Sequence, residues 1–292
     1  MKKQLLFLFT FILLVQACAQ ENKQESSPEL SEISYTEKDA EIFADILSKY
    51  KDDSDKPIAT LIPEIGKYFI DQEYVAHTLE VNEEEKLIVN LRELDCTTYA
   101  ENLLALARTL KSENQTFEQF AKEIENIRYR DGNRNEYPSR LHYFSDWIYN
   151  NKENDLVSTP ADSFGMPFPN QVSFMSSNPE SYKHLKNNPD YISVIEQQEK
   201  EINSKNYFFV PKEKIEEYEY LLKEGDIIGL TTSINGLDVA HVGVLVEQNG
   251  KLHLLHASQS KLKVEISDEP ISSFLKPESK NTGIMIARPL EI

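Results

Sequence analysis

Cysteine is almost absent from this sequence: Cys18 and Cys96 are the only two in 292 residues. That count excludes a disulfide framework. Basic residues are also in short supply, 31 Lys and Arg against 49 Asp and Glu, for a formal charge of −18. So acidic a chain is a poor partner for nucleic acid, whose affinity comes from cations that neutralise phosphate. It is equally ill suited to adhere to anionic lipid surfaces. Past the first twenty residues there is no second membrane-length apolar run, and no internal repeat is visible. Cys96 and the six histidines lack the spacing of a zinc site, so no metal or other cofactor is expected. What remains is 40% hydrophobic, with 14 Phe and 14 Tyr, which supports a large folded domain with a real core.

The first residues read as a targeting segment. Met1-Lys2-Lys3 is a basic start, and Leu5 to Val15 is an apolar run broken only by Thr10. That is the length of a signal-peptide core and too short for a comfortable bilayer span. It ends at Val15-Gln16-Ala17-Cys18, which resembles a bacterial lipobox, with Gln16 in place of the usual small or β-branched residue. The expectation is a signal peptide over residues 1–17 and a lipid attached at Cys18. Ordinary secretion with cleavage after Ala17 or Ala19 is the alternative. Residues 18–35 are polar, acidic and contain Ser and Pro, as a flexible tether does. Residues 36–292 are expected to form a single domain, monomeric, with the membrane reached only through the N-terminal lipid.

Within that domain helices come first. Ile42, Phe43, Ile46 and Leu47 recur at helical spacing, and Pro57 to Ile70 continues the pattern. Leu87 to Leu91 is a short strand candidate. Asp95-Cys96 then opens a helix whose Leu103, Leu106, Ala107 and Leu110 form one apolar stripe, with Asp95 suited to an N-cap. Phe117 to Ile127 is another helix. Residues 128–215 are long, irregular and rich in Tyr, Asn, Pro and Ser, as binding surfaces and lids are. The period then changes to short β-branched segments at 226–230, 241–246, 252–257 and 283–288, with Asn249-Gly250 as a hairpin signal. Helices followed by strands predict an α+β fold with an antiparallel sheet.

A lone thiol outside a disulfide framework is most often a small buried hydrophobe, but Cys96 stands at a helix start. There the free N–H groups favour the thiolate. A thiol nucleophile also needs a base and a group that orients the base. In the predicted hairpin the start of one strand lies beside the end of the next, which brings His241 near His256. His253 differs from His256 by an odd number and points to the other face. Gly243, on the face of His241, leaves room for a helix to approach.

Asp95-Cys96, His241-Val242-Gly243 and His256-Ala257-Ser258 resemble the NlpC-type cell-wall cysteine hydrolases, which have a papain-like fold. Longer blocks sharpen this. They are Tyr74 to Glu80, Val89 to Thr98, Ile127 to Arg130, Tyr137 to Ile148 and Gly236 to Gly243. Together they resemble the N-acetylmuramoyl-L-alanine amidase-like branch common in Bacteroidetes, over about residues 60 to 290. The resemblance implies that Cys96 is the nucleophile, His241 the base, His256 the orienting residue and Tyr74 part of the oxyanion region. It implies peptidoglycan or muropeptides as substrate and a lipid-anchored place in a Gram-negative cell envelope, periplasm-facing or at the outer membrane. Two departures stand out: His77 occupies an expected glycine, and Asp71-Gln72-Glu73 an expected glycine-containing turn.

Three readings follow: an amidase at the muramoyl–L-alanine bond, an endopeptidase at the L-alanyl-γ-D-glutamyl bond, and a non-catalytic peptidoglycan-binding lipoprotein. Arg128, Arg130 and Arg140 either hold stem-peptide carboxylates or pair with the chain's own acids. His142 either lines the substrate groove or packs. Trp147 and Tyr143 either stack on a sugar or fill the core. His253 reads as a strand residue, and Glu83-Glu84-Glu85 as a solvated face.

Overall fold

The computed structural model describes residues 28–169, 171–277 and 279–292. The expected signal peptide, Cys18 and most of the tether lie outside the described residues. Strand β1 (Ile33–Ser34) pairs in parallel with β2 (Leu87–Ile88), and Ile33 is buried. The folded unit therefore begins before residue 36. An apolar residue inside a polar stretch has found backbone partners more than fifty positions away, which local composition does not reveal.

Helix α1 (Glu37–Tyr50) opens on a reciprocal capping box between Thr36 and Asp39 and buries Phe43, Ile46 and Tyr50. Helices α2 (Ile58–Tyr68), α3 (Cys96–Lys111), α4 (Phe117–Arg128) and α5 (Phe144–Glu153) follow. Asp39 has a second use. Its carboxylate accepts the Leu91 N–H at 2.8 Å and pairs with Arg92 Nε at 3.1 Å. Asn90 Oδ1 accepts the amides of Arg92 and Glu93. These bonds fold residues 90–95 into the turn that delivers the chain to Cys96.

The single apolar stripe predicted for α3 understates its burial. Thr98 to Ala107, Thr109 and Leu110 are all buried, because the helix is packed by α2, α4 and a sheet rather than lying on a surface. Most of its buried polar groups are bonded: Glu101 to Arg128, the Asn102 amide nitrogen to the Asn90 carbonyl, Thr109 to the Ala105 carbonyl.

The sheet comes mainly from the second half. Strands β3 (Val157–Ser158) and β4 (Met166–Pro167) lead to short helices α6 (Phe174–Ser177) and α7 (Lys183–Asn187) and the longer α8 (Asp190–Asn203). Strand β5 (Phe208–Pro211), helix α9 (Ile215–Tyr218) and strands β6 (Ile227–Thr232), β7 (Val239–Gln248), β8 (Lys251–Ser258) and β9 (Lys263–Pro270) come next. Helix α10 (Ile271–Phe274) and β10 (Asn281–Pro289) complete the described chain. The strand order is β4-β5-β10-β6-β7-β8-β9, with β3 also on β10, and its pairs are antiparallel. Asn249 and Gly250 both have positive φ, as a two-residue hairpin turn requires. Among the described residues no helix is long and apolar enough to cross a membrane. The architecture is the expected mixture of helices and antiparallel sheet.

The two departures near Tyr74 have a backbone reading. Asp71 (φ 66°) and His77 (φ 63°) both occupy the left-handed region that glycine adopts without strain. Asp71 gains an ion pair with Lys263 at 2.5 Å, whereas His77 is exposed. Replacing His77 by Gly is expected to stabilise the fold by about 0.5–1 kcal/mol, read as a higher urea midpoint with an unchanged m-value.

Candidate active site

Cys96 is the first residue of α3. Asp95 caps it, accepting the Thr98 N–H at 2.7 Å while the Thr98 hydroxyl takes the Asp95 N–H at 3.0 Å. The first-turn amides of Cys96 and Thr97 have no helical carbonyl to bond, so donors cluster around the thiol. Burial nonetheless dominates. It pushes the Cys96 thiol up to about 11, and the Asp95 carboxylate adds to this; the backbone amides of Val242 and Thr97 and the Thr97 hydroxyl pull the other way. The expectation of a depressed thiol pKa is therefore corrected. A helix end is worth at most about 2 kcal/mol, less than the penalty of burying a charge.

Strand alternation brings the imidazoles together as predicted. His241 Nε2 lies 2.6 Å from His256 Nδ1, with the rings edge to face. Burial holds His241 down to about 4 and His256 to about 3, the latter also through the charge of His241. Both are neutral at ordinary pH. Gly243 makes room for its β8 neighbours, not for a helix: an added Cβ would sit 2.8 Å from Leu254 and 3.0 Å from the His256 Cβ. His253 points away, its Nδ1 2.8 Å from the Ser267 carbonyl.

Cys96 and His241 line one cavity of about 110 Å³, walled by Leu141, Phe144, Trp147 and Val239. Asp238 sits in its wall, accepting the amides of Ser145 and Val239, each at 2.7 Å, and so ties the start of α5 to the start of β7. Sequence reasoning passed over Asp238, although it lies inside the Gly236–Gly243 block. A cavity of about 670 Å³ opens on the helix side and includes His77, His142, Tyr182 and Lys183. Another of about 550 Å³ opens on the side of His241 and His256. Tyr74 pairs with Leu94, two residues before Cys96, and burial raises its hydroxyl to about 12, with the charges of Cys96 and Asp95 contributing.

The arginines proved to be internal partners. Arg128 is buried against Glu101 at 2.7 Å and the Ile88 carbonyl at 2.7 Å. Arg140 pairs with Glu80 at 2.6 Å and Glu85 at 2.7 Å, and Arg130 with Asp146. Glu85 is thus no solvated residue, although Glu83 and Glu84 are exposed. Arg140 does line the larger helix-side cavity, but its fork is already occupied. His142 lines both that cavity and the one at Cys96, its Nε2 3.0 Å from the Tyr137 carbonyl. Burial, then the Arg140 charge, lowers it to about 3. Trp147 and Tyr143 are core residues, 2% and 4% exposed. Changing Arg128 to Ala is expected to destabilise the fold by about 3–5 kcal/mol, because Glu101 is left buried and unpaired. Denaturant unfolding checks this.

A family model described as N-acetylmuramoyl-L-alanine amidase-like matches residues 64–284. Among solved structures, the chain is similar to an N-acetylmuramoyl-L-alanine amidase from Bacteroides uniformis. Identity is 38%, over 80% of this chain and 99% of that one, with a TM-score of 0.76. A Bacteroides fragilis protein provisionally assigned as a xylanase is similar at 40% identity over 76% of this chain and 98% of its own, TM-score 0.73. A Legionella pneumophila protein shares the fold at 19% identity and TM-score 0.64, covering 86% of this chain and 95% of its own. Among curated proteins, none matches. The family match spans most of the described fold and includes the thiol, both imidazoles and the cavity walls, and the chain belongs to the N-acetylmuramoyl-L-alanine amidase-like family.

Proposed function

We propose that the protein is a cysteine-dependent amidase that cuts muropeptides between the lactyl group of N-acetylmuramic acid and L-alanine. The observation that carries this is one cavity shared by the thiol at the head of α3 and by His241, itself coupled to His256, in a chain of an amidase-like family. Glycoside hydrolysis would instead call for two carboxylates flanking a bond. The two buried carboxylates of the Cys96 cavity, Glu101 and Asp238, are committed to Arg128 and to backbone amides.

In this reading His241 takes the thiol proton as Cys96 attacks the lactyl carbonyl carbon. An S–C bond forms and the carbonyl oxygen becomes an oxyanion. First-turn amides of α3 and the Tyr74 hydroxyl are the donors for it, each worth roughly 3 kcal/mol of barrier. The imidazolium then protonates the alanyl nitrogen, the C–N bond breaks, and a thioester remains. Water, deprotonated by His241, releases the lactyl carboxylate and restores the thiol. The neutral state that burial imposes on His241 suits a base. The ion pair it forms with the thiolate offsets the burial that opposes each charge singly. The topology supports a papain-like assignment, with the thiol on a helix end and the base on the adjoining sheet. We also propose lipid attachment at Cys18 and residence in the cell envelope, on the leader pattern alone.

Incubating defined muropeptides with the wild type and with Cys96→Ala, and weighing the products, tests the reading. Intact stem peptide from wild type and a loss of about 10³-fold or more in the variant are expected. A muramoyl-L-alanine product would move the cut into the stem, and equal inertness would favour a binding lipoprotein. The pH profile is a second check. His241 must be neutral to act, so kcat/KM rises with pH through an acid limb near 4, set by His241. It then stays level past neutrality. A limb near the ordinary imidazole value would contradict the buried base.

A further inference from the structure

The imidazole pair leaves one buried nitrogen without a partner. His256 Nδ1 faces His241 Nε2 at 2.6 Å, whereas His256 Nε2 has no hydrogen-bond partner among the described residues and is sealed from solvent. The residue is only 4% exposed. A buried polar atom in that state calls for an explanation. Glu265 supplies one. The β8–β9 register pairs His256 directly with Glu265, which places both side chains on one face. Glu265 Oε1 lies 4.0 Å from His256 Nε2, and the glutamate side chain is 21% exposed in the wall of the cavity on the His241 side.

We propose that Glu265 is a positioning residue whose carboxylate holds His256 as the Nε2–H tautomer and, through it, holds His241 with Nδ1 free to receive the Cys96 proton. This rests on the Cys96–His241 reading. The logic is a chain of donors and acceptors. With His241 Nε2 occupied by His256, Nδ1 is the ring nitrogen left for the thiol. To act as base, Nδ1 must carry a lone pair, so the His241 proton sits on Nε2. His256 Nδ1 must then accept that N–H, which puts the His256 proton on Nε2, toward Glu265. A carboxylate accepts only, so it selects this tautomer and disfavours the reverse one, in which His241 would present an N–H to the thiol.

At 4.0 Å the two groups are not yet hydrogen-bonded. Rotation of the half-free glutamate or one bridging water closes the gap. No proton travels to Glu265: the S–H bond breaks, His241 Nδ1–H forms, and each remaining N–H stays on its own ring. Among the described residues, the other groups around His256 offer no competing charge at that nitrogen. His241 comes from β7, and the Phe274 ring of α10, 5.7 Å away, is apolar. Lys261, Asp268 and Glu269 line the same cavity without a recorded contact to His256.

The test uses the purified protein with Glu265→Gln and Glu265→Ala, after circular dichroism shows both folded. Imidazole ¹⁵N shifts report the tautomer directly and need no substrate. Wild type is expected as Nε2–H at both histidines; Glu265→Ala is expected to show mixed tautomers. Iodoacetamide alkylation of Cys96 at neutral pH should slow about tenfold, and kcat on muropeptides should fall about tenfold with KM within twofold. The acid limb should move to lower pH, because the imidazolium loses a favourable charge. Glu265→Gln, which keeps an acceptor oxygen, should recover part of the rate. Unchanged tautomers and alkylation within twofold of wild type would overturn the proposal. So would a raised KM at unchanged kcat, which would make Glu265 a substrate contact. Because the shifts and the alkylation need no muropeptide, they distinguish failure of this role from failure of the amidase reading.

Discussion

The structure depends on how the first turn of α3 is seated. Asp95 caps the helix, Asp39 and Asn90 fold the preceding turn, and burial on every side holds α3 between α2, α4 and the sheet. That packing leaves the helix one orientation, with its N-terminus against the start of β7. The thiol of Cys96 and the imidazole of His241 therefore share a wall without either belonging to a flexible loop. A site carried on a buried helix and a central strand is held more tightly than one carried on loops.

Burial sets the electrostatics of that site as well. Helix-end donors favour a thiolate, but desolvation exceeds them, and the same desolvation empties both imidazoles of charge. Cys96 and His241 are thus opposed in the same sense: each resists being charged alone. The proton transfer proposed between them would create both charges at once and let their attraction offset what burial imposes. The buried pairs elsewhere follow a different rule. Arg128–Glu101 and Arg140–Glu80–Glu85 brace the walls beside the cavity, and there each buried charge already faces an opposite one at hydrogen-bond distance.

Much of the fold was legible because its helices and central strands follow clean periods. Strand β9 was not: Lys263 to Pro270 mixes Lys, Glu, Ser and Asp, and only its pairing with β8 makes it a strand. Strand β5 was hidden similarly within the aromatic middle of the chain. In the site, Cys96, His241 and His256 were legible because helix capping and strand alternation are local rules. Asp238 and Glu265 were not, since an isolated acid in so acidic a chain carries no signal. The arginines were left with two readings because guanidinium chemistry suits a ligand carboxylate and an internal one equally.

The sequence by itself determined the main helices and central strands, the thiol at a helix start, and the pairing of two histidines across a hairpin. These follow from capping chemistry, hydrophobic period and turn residues acting over a few positions. Only the tertiary structure decided that α3 is buried on all sides, that its thiol resists ionisation, and that the arginines are already paired. It also set Glu265 opposite a partnerless imidazole nitrogen. Desolvation and cross-strand register depend on residues far apart in the chain, and no local pattern encodes them.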